Sequence, residues 1–189
     1  MATAARRLLT VEEFLELEFS FDEGVSARIE LDNGAILAMA GGNADHSRIQ
    51  GNVFAALHHK LRGTGCRPHG PDMGVRVHDF SLRYPDVSVF CGRDSPEDGK
   101  LRVFDNPTIV VEVLSPSTRQ KDETVKLWEY QAVPSLTAIV HIDPDSETVR
   151  LLTRNAGHGW QDVFVPSGED TIFDSLRVTL TWAEIFAPA

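Results

Sequence analysis

The stretch Thr108-Ile109-Val110-Val111-Glu112-Val113-Leu114 constrains this chain more than any other. It is apolar at nearly every position, which predicts a strand covered on both faces, as at the centre of a sheet with helices on either side. One charge interrupts it. A buried, unpaired carboxylate costs on the order of several kcal/mol, so Glu112 requires a cation. That cation is either an arginine or lysine side chain or a metal ion.

The rest of the pattern can be built around this strand. Thr10-Val11-Glu12-Glu13 is a capping box, and Phe14 and Leu17 continue it as a helix to about Glu18. Arg28-Ile29-Glu30-Leu31 and Ala35 to Met39 flank Asp32-Asn33-Gly34, where Asn-Gly favours a tight hairpin turn. A second helix runs from about Asp45 to Leu61, with Ile49, Val53, Leu57 and Leu61 every fourth residue along one face. Gly74 to His78 and Tyr84 to Phe90 read as strands. Residues 92–106 are polar and turn-rich and read as a long loop. Ser115-Pro116-Ser117-Thr118 starts a helix to about Ala132, with Val125, Trp128 and Ala132 as the stripe expected to pack on the sheet. Leu136 to Ile142, Thr148 to Leu152 and Trp160 to Val165 are further strands, and Trp182 to Phe186 is a short closing helix. The order predicts an α/β (α+β mixed) fold with a mixed central sheet flanked by helices.

Length and charge narrow the function. A chain of 189 residues fits one domain. No run of eighteen apolar residues is present, so no membrane span is expected. The first residues turn acidic too soon for a secretory signal. Cys66 and Cys91 are far apart and form no C-x-x-C pair, and they read as reduced thiols in a cytoplasmic protein. Structural zinc would want four ligands. The formal charge of −10 argues against a non-specific nucleic-acid coat, which would be basic. It is compatible with carboxylates that hold a divalent ion, and it makes any DNA affinity dependent on metal and salt.

Several side chains could serve the site around Glu112. Asp86 opens the preceding strand. Adjacent strands lie roughly 5 Å apart, so their carboxylates can share one hard cation; the other reading is a turn aspartate after Pro85. Lys126 shares a helix face with Asp122 four residues earlier. It could contact a phosphate near the end of the Glu112 strand, or make only an i,i+4 ion pair. Glu30 lies on the charged face of a hairpin strand. Arg119, Lys121 and Lys126 could contact DNA phosphates or form a solvated helix edge. Arg93, Lys100 and Arg102 in the long loop offer a second contact surface or a dimer arm. His46, near a helix start, reads as structural. No G-x-S-x-G, Walker or dinucleotide motif occurs, and the seven histidines show no H-E-x-x-H spacing.

The order of motifs resembles the Uma-two family of restriction-endonuclease-like, PD-(D/E)-x-K proteins. The carriers are R-x-E-L-x-N-G at Arg28 to Gly34, the helix near His46, Y-P-D-V-S-V at Tyr84 to Val89, and P-T-I-V-V-E-V-L-S-P-S-T at Pro107 to Thr118 followed by Asp122 and Lys126. The resemblance implies a restriction-endonuclease-like core over residues 43–143, preceded by a helix and hairpin at 8–40 and followed by strands and a short helix at 147–187, in one domain. It also implies that Asp86 and Glu112 bind Mg²⁺, with Mn²⁺ as a substitute, that Glu30 joins the metal site, and that Lys126 is catalytic. An E-x-K signature would place lysine at 114, where this chain has Leu114, so the helix supplies the lysine instead. The implied activity is endonucleolytic hydrolysis of DNA, and a homodimer is expected for cleavage of both strands. The alternative is a non-catalytic nucleic-acid- or protein-binding member of the same fold.

Overall fold

The computed structural model describes residues 7–18, 29–39, 41–92, 98–157 and 159–188. Arg28 and Arg93, singled out above, lie outside them. Helix α1 (Val11–Glu18) starts at the expected capping box. The Thr10 N–H donates to Glu13 Oε2 at 3.1 Å, and the Glu13 N–H donates to Thr10 Oγ1 at 3.2 Å. Strands β1 (Ile29–Asp32) and β2 (Ala35–Ala38) form the hairpin. Its turn has φ of 46° at Asn33 and 75° at Gly34. Glycine is required there twice over: by the left-handed backbone, and because an added Cβ would lie 2.5 Å from Leu8 Cβ.

Helix α2 (Ala44–Lys60) follows, capped by the Asn43 side chain, which accepts from the His46 N–H. Next come β3 (Cys66–His69), β4 (Gly74–His78), β5 (Ser81–Arg83), β6 (Val87–Cys91), a 3-10 turn at Asp98–Lys100, β7 (Val103–Phe104) and β8 (Ile109–Val113). The helical segment after β8 has three parts: α3 (Arg119–Lys121), a π-helical turn (Asp122–Lys126) and α4 (Leu127–Ala132). The chain ends with β9 (Ala138–Asp143), β10 (Thr148–Arg154), β11 (Trp160–Val165), β12 (Thr171–Phe173), β13 (Val178–Leu180) and α5 (Trp182–Phe186).

The strands make a six-stranded sheet in the order β11-β10-β9-β8-β6-β3, a five-stranded sheet in the order β2-β1-β5-β4-β7, and the β12-β13 pair. Each of the two larger sheets contains one parallel pair, β8 with β9 and β4 with β7, so both are mixed. The architecture is the expected α+β one with helices flanking mixed sheets. The early hairpin belongs to the second sheet, which it joins through Leu31 opposite Leu82 of β5. Strand β5 has only three residues, all buried, which is too short to show a period in the sequence.

One face of the large sheet packs Val87, Val89, Val111, Val113, Val140 and Ile142 against Ile49, Val53 and Leu57 of α2 and Ile185 and Phe186 of α5. The other face packs Phe90, Val110, Ile139 and Leu152 against Leu127 and Tyr130 of α4, with Val75 from the second sheet. β8 is therefore covered on both sides, as its apolar run requires.

Two expectations are corrected. The stripe Val125, Trp128 and Ala132 does not pack on the sheet; Trp128 is 73% exposed, and the inward residues are Asp122, Lys126, Leu127, Tyr130 and Val133. The inward polar groups neutralise one another, so the helix can bury them and leave an indole outside. The cysteines are not reduced thiols. Cys66 and Cys91 sit opposite each other on antiparallel β3 and β6, with Cα atoms 4.0 Å apart, and form a disulfide. Strand register brings together residues 25 apart in sequence, so their distance along the chain was no guide. A bridge closing a loop of this size is expected to contribute about 2–4 kcal/mol. Urea unfolding with and without reductant measures it; identical curves would show that the bridge does not form in solution. Among the described residues, no helix is long and apolar enough to cross a membrane.

Candidate active site

The site is assembled where the two large sheets meet, under the π-helical turn. Glu112 projects from β8, Glu30 from β1, and Asp122 and Lys126 from the turn. Lys126 is only 4% exposed. Its Nζ lies 3.2 Å from Glu30 Oε1, 3.1 Å from Glu112 Oε1 and 3.2 Å from Asp122 Oδ1. Three carboxylates around one ammonium raise its pKa, because their charges outweigh the desolvation that opposes them. Tyr130, one turn further along, donates its hydroxyl to Glu112 Oε1 at 2.7 Å. The turn is an irregularity of the kind often found at functional sites.

Asp86 precedes β6. Val87 lies opposite Val111, so Asp86, just before β6, sits near the end of β8 where Glu112 and Val113 stand. Asp86 is held from two sides. Its Oδ2 accepts from the Val113 N–H at 2.8 Å and faces His46 Nε2 at 3.2 Å. That hydrogen bond is the main reason the His46 pKa is raised, with burial opposing it. Burial is the main force pushing the Glu112 pKa up; Lys126 opposes it, and the nearby charges of Asp122, Asp86 and Glu30 add to it.

The resemblance places Glu30 in the metal site. Here its carboxylate is turned to cations: Lys126, Lys121 at 3.3 Å and Arg83 at 3.4 Å. Together they lower its pKa against the larger single effect of burial. Among the described residues, no group of three or more histidine, cysteine or acidic side chains is placed to hold a metal ion. The pair Asp86 and Glu112 fits Mg²⁺, which takes one or two carboxylates and fills its remaining positions with water and phosphate. The nearby negative charges that add to the effect of burial on Glu112 are what a divalent cation would relieve. Arg119 makes a bidentate pair with Asp143 at 2.8 and 3.0 Å, and Lys121 contacts Glu30 and Asp32. Both are engaged in ion pairs and remain partly exposed.

Several members of the site escaped the reading of the sequence. Arg83, on the short β5, is fully buried and ties Glu129, Asp32 and Glu30 together. Tyr130 was hidden among apolar helix residues. His141 carried a legible signal: in Ala138-Ile139-Val140-His141-Ile142 it interrupts an apolar strand as Glu112 does, and it lies beside Glu112 in register. It is buried, and neither ring nitrogen has a hydrogen-bond partner.

Burial, the largest cause, together with the Arg150 and Lys126 charges, pushes the His141 pKa down to about 4 against a weaker pull from Asp162. The folded form therefore binds fewer protons than the unfolded chain between pH 4 and 6.5. The stabilisation is fully present above the unfolded value and is lost as pH falls through the folded one. A depression from 6.5 to about 4 corresponds to about 3 kcal/mol. Stability of His141→Phe relative to wild type, measured in chelator at pH 4 and pH 7, is expected to differ by about that amount. Parallel pH profiles would show that His141 is not held neutral.

The structure matches a crystal structure of a putative nuclease belonging to DUF820 from Anabaena variabilis, with a TM-score of 0.74 over 95% of this chain and 98% of that one, at 20% identity. Mixed sheets flanked by helices in this arrangement are the restriction-endonuclease-like fold. The chain belongs to the Uma2 family, whose model, described as "Putative restriction endonuclease", matches residues 11–183. Two Synechocystis proteins are similar along most of their length. Uncharacterized protein slr1290 is 32% identical over 154 residues, which is 80% of this chain and 77% of that protein. Uncharacterized protein sll1609 is 28% identical over 144 residues, 76% and 79% respectively.

Proposed function

We propose that this chain is a Mg²⁺-dependent endonuclease that hydrolyses phosphodiester bonds in DNA. The observation that carries the reading is the buried Lys126 ammonium, held by Glu30, Asp122 and Glu112, with the Asp86 charge also close to Glu112. A structural salt bridge needs one carboxylate, whereas this lysine has three. An ammonium fixed next to an acid pair is suited to charge that develops on a phosphate.

Asp86 and Glu112 would hold the Mg²⁺, which when bound polarises a phosphate and lowers the pKa of a water. The remaining roles belong to side chains. Glu30 and Asp122 keep Lys126 protonated and aimed. Lys126 stabilises negative charge on the scissile phosphate. Tyr130 orients Glu112 through Oε1, and His46 with the Val113 N–H orients Asp86.

Calorimetric titration of Mg²⁺ and Mn²⁺ into wild type and an Asp86→Ala, Glu112→Ala double variant, with plasmid nicking on the same samples, tests this. Saturable binding and nicking in wild type, both lost in the variant, are expected. Wild type that binds no divalent ion even with DNA present would overturn the reading in favour of a non-catalytic binding member of the fold.

A further inference from the structure

The face of α2 that reaches Asp86 continues into a cavity. Its volume is about 340 Å³, and Ser47, Gln50, Gly51, Phe54, Gly70 and Pro71 line it. The four α2 residues fall at i, i+3, i+4 and i+7, a single helical stripe. Gln50 joins the cavity to the site: its Nε2 donates to the Asp86 carbonyl at 3.1 Å. One turn earlier, His46 holds the Asp86 carboxylate.

Two glycines shape this space. Gly51 lies inside α2, where glycine is less favourable than alanine because it gives up the most backbone freedom. A Cβ added at Gly51 or at Gly70 would meet no atom within 4 Å, and neither residue has a left-handed φ. Gly34 and Gly74 differ, since a Cβ there would come within 2.5 Å of Leu8 and 3.0 Å of Val103. A side chain at 51 or 70 would meet no neighbouring atom, so the two glycines keep this stretch of surface clear. Phe54 adds an aromatic wall, nearly parallel to the His58 ring at 6.0 Å.

We propose that this cavity receives one nucleobase of the substrate strand, adjacent to the scissile phosphate. The proposal rests on the endonuclease reading and names a subsite for it. The volume is at the small end for ligand sites, large enough to admit one base. An aromatic wall offers stacking that every base can use, and Ser47 and Gln50 offer polar groups to a base edge. Successive nucleotides lie about 3.4 Å apart along a duplex and farther apart in an extended strand. Gln50 lines the cavity and also holds the Asp86 backbone, so the cavity borders a residue proposed to hold the metal ion. A base enters most easily from a single strand, where no pairing is broken.

The test is fluorescence anisotropy with Ca²⁺ in place of Mg²⁺, comparing a short single-stranded oligothymidylate with a fully abasic strand of the same length. Wild type is expected to bind the base-bearing strand about tenfold more tightly. Gly51→Leu fills the cavity and is expected to erase that preference while leaving abasic affinity and melting temperature unchanged. Gly51→Ala should reduce the preference only in part. Phe54→Leu, which keeps apolar volume but removes the ring, should lower affinity for the base-bearing strand alone. Equal binding of both strands by wild type, no binding of either, or a preference that survives in Gly51→Leu would overturn the subsite. A preference that depends on Gly51, without cleavage in Mg²⁺, would uphold the subsite and overturn the nuclease activity.

Discussion

Lys126→Met is expected to abolish DNA cleavage and to lower folding stability by about 3–5 kcal/mol, the usual cost of removing one partner from a buried ion pair. For a chain of this size that corresponds to a fall in melting temperature of roughly 10 °C. The reason is local. Glu30, Glu112 and Asp122 all lie within hydrogen-bonding distance of the Lys126 ammonium and are all nearly excluded from water. Methionine keeps the packing of the aliphatic stem and removes only the charge. The three acids can then be tolerated only by taking up protons, so the loss should be larger at pH 8 than at pH 5. Equilibrium urea unfolding in chelator at the two pH values measures it. Wild-type stability at both would mean that the three contacts are not formed in solution.

The second large effect is expected at Arg83. Its side chain is fully buried. Nε and NH2 make a fork to Glu129 at 2.7 and 2.8 Å, NH2 reaches Asp32 at 2.9 Å, and NH1 reaches Glu30 at 3.4 Å. The residue fastens β1 and α4 to β5, and through Glu30 it steadies Lys126. Arg83→Met strands Glu129 and Asp32 with much of their charge uncompensated and should cost about 3–5 kcal/mol. Arg83→Lys should recover less than half of that loss, because one ammonium cannot reproduce the planar fork. Full recovery with lysine, in the same urea experiment, would show that only the charge matters. The ion pairs of Arg83 are with Glu129, Asp32 and Glu30 and not with the two proposed metal-holding acids, so its loss should reduce nicking with little change in the calorimetric affinity for Mg²⁺.

The polar core was partly legible beforehand. Glu112 was conspicuous as a charge within a β-branched run, and the same test applied to His141 would have flagged it as well. Apolar spacing alone turns Val125 and Trp128 of the helix after β8 toward the sheet. That rule fails where inward polar groups satisfy one another, as Lys126 does with Asp122, Glu30 and Glu112.

Features encoded within a few residues could be read from the sequence alone. The Thr10–Glu13 capping box, the Asn33-Gly34 turn, the four-residue spacing of Ile49, Val53 and Leu57 and the doubly covered β8 all express local backbone geometry and periodicity. Tertiary structure decided which distant groups meet. Lys121 and Glu30 are 91 residues apart, Arg83 and Glu30 are 53 apart, and Cys66 and Cys91 pair only because β3 and β6 align in that register. Such pairings depend on how the two sheets stack and how the helix with its π turn settles between them. Local sequence carries no signal of that packing, so the cation that answers Glu112 became known only from the folded chain.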